Sequence, residues 1–187
     1  QLLCNAPLIF SKSGKSEFVM IGINIRQVNK SDVDGCYRTE SICYTSDGAT
    51  RGKILKRIML FPEGFLIAES EGKIIGLINS ASTDKENIAD EELKDMVGHV
   101  KNGGNMVIFS LAVLPEFQRK GISRQLMASF IEVSKDLQKE KILLICKSDL
   151  IPYYQYYGFL YGGKSKSKHG GFEWHEMYLL LSAVDEI

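Results

Sequence analysis

Hydrophobic and polar positions alternate along the chain with two different periods, which predict a succession of strands and helices. Residues 21–25 alternate isoleucine with small or polar residues, which is typical of a strand. Residues 105–113 (NMVIFSLAV) form the most strand-like run of the chain. Apolar residues then recur with helical spacing across 121–139, and the continuous apolar run KILLICK at 141–147 indicates a buried strand.

The rest of the pattern completes the order of elements. Glu71-Gly72 predicts a two-residue hairpin turn, and the segment KSKSKHGG predicts a second hairpin tip between the last two strands. The strand, helix and strand over 105–147 predict a parallel crossover unit. The chain therefore predicts an α/β fold with a mixed, mostly antiparallel sheet, one central parallel pair and flanking helices. The remaining elements are predicted as helices at 31–44, 49–60, near 90–100 and at 152–157, and as strands at 65–70, 73–80, 159–162 and 174–181.

The N-terminal residues lie outside this pattern. Met20 immediately precedes the first strand, so we expect the natural start of the domain there. Residues 1–19 are then a leader or a poorly ordered segment, and 20–187 form a single domain. The apolar run at the start is short, with no basic residue before it and no clear cleavage pattern after it, so it is only a weak candidate for a signal peptide.

Composition excludes several classes of protein. The 187 residues are 44% hydrophobic, enough for one domain with a real core. Basic and acidic residues both number 23, so no global field favours nucleic acid or a membrane as a partner. No stretch approaches the roughly 18 apolar residues of a membrane span. The four cysteines show no CxxC spacing and are interpreted as reduced thiols of a cytoplasmic protein, and the three histidines lack metal-ligand spacing, so no metal site is expected.

Two basic segments imitate functional motifs. Residues 13–16 (SGKS) match the end of a phosphate-binding loop, but the full pattern requires glycine where Ile9 stands. The basic hairpin 164–169 (KSKSKH) has no interleaved aromatic residues, so we interpret it as a solvated turn and not as a nucleic-acid contact.

The segment LAVLPEFQRKGISRQLM at 111–127 places a glycine and basic residues between a strand and a helix. A helix N-terminus leaves about four backbone N–H groups without partners and carries the positive end of the helix dipole. Gly121 lets a ligand approach the backbone, and Arg119, Lys120 and Arg124 add positive charge. These features fit a cradle for a pyrophosphate. Periodicity alone gives equal weight to the alternative, an ordinary helix start whose basic residues face water.

The surroundings of this loop resemble the GCN5-related N-acetyltransferase (GNAT) superfamily. Residues 118–123 (QRKGIS) resemble its Q/R-x-x-G-x-G/A signature, with Ser123 in place of the final glycine or alanine, and they follow a strand that ends in LAV. Residues 148–154 (SDLIPYY) and 156–159 (YYGF) resemble the tyrosine-bearing segment and the closing YGF motif. The nearest likeness is to the serotonin (arylalkylamine) N-acetyltransferase branch.

The resemblance, which spans roughly residues 22–181, implies a single-domain acyl-CoA N-acyltransferase fold. In this fold two central parallel strands splay apart, and acetyl-CoA lies in the gap. The implied reaction is direct attack of a primary amine, here a small-molecule amine, on the thioester, without a metal. The residues implied to bind the cofactor are Leu111, Ala112 and Val113, through the backbone of Leu111 and Val113, and the loop residues Arg119, Lys120, Gly121, Ile122, Ser123 and Arg124.

The resemblance also implies a general acid. Tyr154 matches the position at which the family keeps a tyrosine that protonates the departing thiolate. A phenol, with a pKa near ~10, stays protonated at neutral pH and can donate. On clustering alone, each of the four tyrosines between 153 and 157 would be a packing residue. The backbone N–H of Leu111 is the expected donor to the carbonyl oxygen.

The general base stays open. Two histidines of the serotonin enzyme correspond to Val107 and Phe109, which cannot titrate, so that relay is absent. Deprotonation then runs through ordered water to Ser110, to a carboxylate or to backbone carbonyls, or the amine arrives neutral. The carboxylates considered are Glu40 and Asp84. Histidine as a residue type has its ordinary pKa near neutrality, which makes His99 and His175 candidates, but nothing in the sequence places either in the cleft.

The acceptor pocket and two other functions also stay open. An apolar, aromatic wall with one carboxylate would suit an aromatic or alkyl amine, or the same residues are ordinary apolar helix faces. These residues are Tyr37, Glu40, Tyr44, Phe61 and Phe65. The acidic segment 84–95 would attract a cationic acceptor, or it is a solvated face. The alternatives are a non-catalytic acyl-CoA-binding sensor and a protein or peptide N-acetyltransferase. Many relatives dimerise through edge strands, so the resemblance allows a homodimer.

Overall fold

Seven strands and four α-helices make up the part of the chain that the structure describes. The computed structural model describes residues 22–44, 48–86, 91–167 and 169–181. In chain order the elements are β1 (Asn24–Gln27), α1 (Val33–Cys43), α2 (Arg51–Leu60), β2 (Phe65–Ser70), β3 (Lys73–Thr83), β4 (Asn105–Val113), α3 (Ile122–Asp136), β5 (Lys141–Cys146), α4 (Ile151–Gln155), β6 (Leu160–Lys164) and β7 (His175–Leu180).

The strands form one mixed sheet in the order β1-β2-β3-β4-β5-β7-β6. β4 and β5 run parallel and are connected through α3, which confirms the predicted crossover over 105–147. The other neighbouring strands in this order pair antiparallel. The predicted fold class, a mixed and mostly antiparallel sheet with one central parallel pair and flanking helices, is confirmed.

Helices cover both faces of the sheet. Side chains of β2 alternate between the two faces, because successive residues of a strand point in opposite directions. Phe65 and Ile67 are buried in the core beneath α1 and α2, whereas Leu66 and Ala68 are buried in the larger core that α3 covers. Arg26 on β1 forms ion pairs with Asp32, just before α1, and with Glu69 on β2, both at 2.7 Å.

Helix α3 buries at least one residue in each turn, and Met127 beside Leu126 is buried as well. Ile122, Leu126, Phe130 and Ser134 are spaced by four and form the stripe that packs on the sheet. The helix ends at Asp136, before the predicted end at 139, because the chain turns at Gln138, where φ is 53°.

Two sequence predictions need correction or fall outside the structure. The helix predicted near 90–100 is wrong: a short 3-10 helix, Glu91–Asp95, is followed by turns in which Met96 (φ 61°) and Gly98 (φ 80°) adopt left-handed conformations. A continuous α-helix cannot accommodate two such residues. The predicted leader 1–19, the SGKS segment and Cys4 lie outside the described residues, whereas Cys36, Cys43 and Cys146 are buried thiols that form no disulfide with one another.

No helix in the described ranges is both long and apolar enough to cross a membrane.

The N-terminus of α2 offers a test of local stability. The Thr50 side chain accepts a hydrogen bond from the Lys53 N–H (3.3 Å) and caps the helix. We expect Thr50→Ala to lower the free energy of unfolding by about 1 kcal/mol and the Tm by roughly 2–4 °C in a thermal melt. Thr50→Ser keeps the cap and is the matched control; equal melting temperatures for the two variants would show that the cap contributes nothing.

Candidate active site

The parallel pair β4–β5 separates along its length. The two strands pair only from Asn105 to Val107 of β4, although β4 continues to Val113 and β5 to Cys146. Beyond Val107 the backbone of β4 therefore has a partner strand on the β3 side alone. This gap between two central strands is the splay that the family resemblance implies.

The register of β4 decides which backbone groups face the gap. The Leu114 N–H donates to the Ile75 carbonyl of β3 (2.9 Å), so Ala112, two residues earlier, also points its backbone toward β3. Leu111 and Val113 alternate with these residues and point theirs toward the gap. Of the three predicted strand residues, Leu111 and Val113 therefore offer backbone groups to a ligand, whereas Ala112 packs its side chain into the core under α1.

Side chains occupy the carbonyl groups on this edge. The Tyr44 hydroxyl donates to the Leu111 carbonyl (2.8 Å), and the Gln118 amide donates to the Val113 carbonyl (2.9 Å). The N–H groups of Leu111 and Val113 point the same way as those carbonyls, away from their β3 register partners Ile78 and Gly76, and the described pairing with β5 ends before them at Val107. The edge thus presents donors to the gap, and Gln118 fixes the start of the loop to the end of β4.

The loop before α3 presents a row of backbone donors. Among the described residues, none accepts a hydrogen bond from the backbone N–H groups of 119–124, and the first helical bond runs from the Gln125 N–H to the Gly121 carbonyl (3.1 Å). Arg119 (φ 62°) and Gly121 (φ 79°) are both left-handed. Alternation of left- and right-handed residues turns successive N–H groups toward one point and forms an anion-binding nest. The donor set therefore fits a diphosphate.

The side chains of the loop divide between solvent and core. Arg119, Lys120 and Arg124 are exposed around the opening, whereas Ile122 is buried and offers only its backbone. Arg124 stacks on the Tyr156 ring, 5.1 Å from its centroid. Ser123 is half-buried and hydrogen-bonds to the Tyr153 hydroxyl, so the serine that departs from the family signature contacts α4.

Tyr154 is buried on α4, at the end of the gap where β5 stops. Its side chain is 2% exposed and packs edge-on against Tyr153 and Phe159, with centroids 5.2 and 5.7 Å away. Burial raises the pKa of the Tyr154 phenol, so the hydroxyl stays protonated at neutral pH. No residue in the described ranges hydrogen-bonds to this hydroxyl, which leaves it available as a donor.

Glu40 contacts this edge through Ser110. Its side chain is 2% exposed, and its Oε1 accepts hydrogen bonds from the Ser110 hydroxyl (2.8 Å) and the Ala49 N–H (3.2 Å). The Oε2 atom is buried and has no hydrogen-bond partner among the described residues. Ser110 directly precedes Leu111, so this carboxylate lies beside the donor edge of β4.

The structure separates the other candidate bases from the gap. Asp84 accepts from the Gly104 N–H (2.9 Å) before β4 begins. His99 contacts Ser82 (3.1 Å) and the Phe61 ring at the same end, and burial lowers the pKa of its imidazole. His175 lies on β7, beyond β5, with Nδ1 3.0 Å from the Tyr161 hydroxyl.

The predicted acceptor wall is partly core. Phe61 and Phe65 are fully buried and belong to two different cores, so they are packing residues. Tyr37 is 39% exposed, and Tyr44 reaches Leu111 as described. In the acidic segment, Glu86 and Asp95 form ion pairs with Lys141 and Lys53. A cavity of about 350 Å³ lies against β5, β6 and β7; it is lined by Glu86, Lys141, Leu143, Gly162, Glu176, Met177 and Tyr178.

Sequence reasoning missed a β-bulge and the polar groups around it. Asn79 pairs with Ser110 but its neighbour Ser80 pairs with Ile108, so Phe109 is an extra residue in β4. The Arg57 guanidinium lies over the Phe109 ring (4.6 Å) and donates to the Asn79 amide oxygen (3.0 Å). Nothing in the local sequence indicates the bulge or these contacts, because they join separate elements.

The splayed strands and the donor loop together define a GNAT fold. Residues 33–159 match the profile of the Acetyltransferase (GNAT) family, so the chain belongs to this family. It is 24% identical over 133 residues to the "Uncharacterized N-acetyltransferase YkwB" of Bacillus subtilis (65% of this chain, 59% of that protein). It is 26% identical over 128 residues to the "Probable hydrolase YhcX" of the same species (64% and 25%). The alignments thus span less than two thirds of either curated relative.

Solved structures share the fold at low sequence identity. The loading GNATL domain of CurA from Lyngbya majuscula superposes with a TM-score of 0.76 at 17% identity, covering 86% of this chain and 98% of that domain. YncA of Salmonella typhimurium, a putative acetyltransferase solved with acetyl-CoA, gives a TM-score of 0.64 at 17% identity, covering 86% and 94%.

Proposed function

We propose that this protein transfers the acetyl group of acetyl-CoA to a primary amine on a small molecule, by direct attack within a ternary complex. The observation that carries the proposal is the buried, protonated Tyr154 hydroxyl at the end of a splay whose other side presents a row of unpaired backbone donors. Membership of the GNAT family and the acetyl-CoA bound to the structural neighbour YncA support acetyl-CoA as the cofactor.

The residues present fit this cofactor. The N–H groups of 119–124, with the charges of Arg119, Lys120 and Arg124, would hold the diphosphate. The gap-facing N–H group of Val113 would pair with an amide of the pantetheine arm, which leaves the N–H of Leu111 for the thioester. Acetyl-CoA supplies, when bound, an acetyl group activated as a thioester.

Two groups of the chain act on the charges that develop during transfer. The Leu111 N–H is fixed on the strand and would donate to the carbonyl oxygen, whose negative charge grows as the amine attacks. Tyr154 would give its proton to the departing sulfur, because burial keeps the phenol neutral and a thiolate is of comparable or lower basicity.

Two separate surfaces bear on the acceptor class. Tyr37 on α1 is 39% exposed, and the cavity against β5, β6 and β7 combines Leu143 and Tyr178 with the charged side chains of Glu86, Lys141 and Glu176. Such a lining suits an alkyl or arylalkyl amine, the class that the likeness to the serotonin branch also suggests.

A screen of acceptors tests the proposal. We expect arylalkylamines to accelerate thiol release from acetyl-CoA more than polyamines, amino sugars or short peptides do, with the acetylated product identified by mass spectrometry. Acceleration by peptides alone would indicate a peptide N-acetyltransferase. Coenzyme A binding without acceleration by any class would indicate an acyl-CoA sensor and would overturn the proposal.

A further inference from the structure

We propose that Glu40 is the group that takes the proton from the attacking amine, and that Ser110 and Arg57 position it. The proposal rests on the acetyl transfer proposed above and deepens it, because the histidine pair of the serotonin enzyme is replaced here by Val107 and Phe109. A base from another element of the fold must then do this work, or the reaction must rely on water alone.

The carboxylate is held with one oxygen committed and one free. Oε1 accepts from the Ser110 hydroxyl and the Ala49 N–H, which fixes the orientation of the group. Oε2 is buried without a partner among the described residues. A buried polar atom left unsatisfied costs about 1–3 kcal/mol, so such an atom points to an absent partner such as an ammonium group or a water.

Glu40 is one end of a chain of buried polar groups at the Phe109 bulge. Ser110 pairs across the sheet with Asn79, whose amide oxygen accepts from Arg57. Asn79 Nδ2 and Arg57 Nε are, like Glu40 Oε2, buried and without partners within the described ranges. Three orphaned polar atoms along one contact chain indicate a place built to receive a polar ligand or ordered water.

Glu40 and Tyr44 reach the same stretch of β4, from α1 and from its C-terminal end. Glu40 accepts from the Ser110 hydroxyl, and the Tyr44 hydroxyl donates to the carbonyl of the next residue, Leu111. The carboxylate therefore lies one residue along β4 from the backbone N–H that is proposed to bind the thioester carbonyl.

Charged and titratable groups surround Glu40. They are Arg57 on α2, Cys36 on α1 and Tyr44 at the C-terminal end of α1, while β4 contributes the neutral Ser110. Arg57 is 3% exposed and brings the positive charge that a buried carboxylate needs. Burial raises the pKa of both the Tyr44 phenol and the Cys36 thiol, so these two stay neutral beside it.

The step balances without a further reactant. The nitrogen lone pair forms the new C–N bond, and the nitrogen loses one proton to Glu40. The C–S bond breaks, its electron pair stays on sulfur, and the sulfur takes the proton of Tyr154. Glu40 then releases its proton to solvent, and Tyr154 takes up a proton from solvent.

Glu40→Gln is the decisive variant, because the amide oxygen can still accept from Ser110 and Ala49 while the group can no longer take a proton. We expect kcat/KM for the amine to fall about 30-fold. This loss is smaller than the usual loss on removal of a general base, because water can still take the proton by a slower route. The decline of activity on the acid side of the pH profile should flatten, whereas the Kd for coenzyme A by calorimetry and the Tm should stay at wild-type values. Asp84→Asn is the matched control and should leave the profile unchanged.

An infrared difference spectrum of the cofactor-free protein gives a readout without turnover. Wild type minus Glu40→Gln should show an ionised carboxylate band at neutral pH; a protonated acid there would overturn the proposal, as would a Glu40→Gln variant with the wild-type pH profile. If Glu40→Gln does not fold, Ser110→Ala decides the question. We expect this variant to lose about 5-fold in kcat and to change the acid side of the pH profile. A kcat and a pH profile equal to those of the wild type would contradict the proposal. A wild-type protein that acetylates no amine would instead refute the proposed function, whatever the infrared band shows.

Discussion

Tyr154→Phe is expected to lower kcat for amine acetylation about 1,000-fold, within the usual range for loss of general acid catalysis, while coenzyme A binds as before. The substitution removes one oxygen atom and keeps the ring, so the edge-on contacts with Tyr153 and Phe159 remain. Because no described residue is bonded to the hydroxyl, its removal should leave no polar group newly unsatisfied and the Tm should not fall. Steady-state thiol release gives kcat, and calorimetry gives the Kd for coenzyme A.

The pH dependence of the wild-type protein provides a second check on this residue. Burial raises the pKa of Tyr154, so the proton-donating form is complete at neutral pH and is lost only when the pH rises above that elevated pKa. Activity should therefore not decline near pH 10 on account of this phenol. Tyr156→Phe, an exposed neighbour that keeps its ring under Arg124, is the matched control and should retain wild-type kcat. Unchanged turnover in Tyr154→Phe would remove this residue from the chemistry.

Local sequence was sufficient for the elements that carry the cofactor loop. The strand predicted at 105–113 has the observed bounds of β4, because an apolar run is limited by Gly103-Gly104 on one side and by Pro115 on the other. The start of α3 next to Gly121 was also predictable, since a glycine between a strand and an amphipathic run is a local signal. Both features depend on residues that are neighbours in the chain.

The polar groups at the bulge could not be predicted in this way. Glu40 and Ser110 lie 70 positions apart in the chain, and a carboxylate on an amphipathic helix is ordinarily exposed. The helix expected near 90–100 failed for a related reason: its polar pattern fits either a solvated helix or a turn, and the left-handed residues Met96 and Gly98 are visible only in three dimensions. Composition and periodicity report which face is buried, not which polar atoms meet there.

Gly121→Val is expected to weaken coenzyme A binding about 100-fold with little change in the fold. Gly121 has φ 79° and ψ 7°, and no atom lies within 4 Å of the position a Cβ would occupy, so the cost comes from the backbone alone. A β-branched residue strongly disfavours positive φ and would rotate the peptide units on either side. The N–H groups of 119–124 would then no longer point together, and the loss of one or two charge-assisted hydrogen bonds accounts for the expected change in Kd.

Gly72→Val separates the loop from the general cost of the substitution. Gly72 lies in the β2–β3 turn with φ 72° and equally open space around its Cβ position, so the backbone penalty is matched but the diphosphate site is remote. Calorimetry should show wild-type affinity for coenzyme A in Gly72→Val and weak affinity in Gly121→Val. Pantetheine, which lacks the diphosphate, should bind both variants alike. Equal affinity of the two variants for coenzyme A would mean that the diphosphate does not bind at the N-terminus of α3, and the assignment of the cofactor to the splay would fail with it.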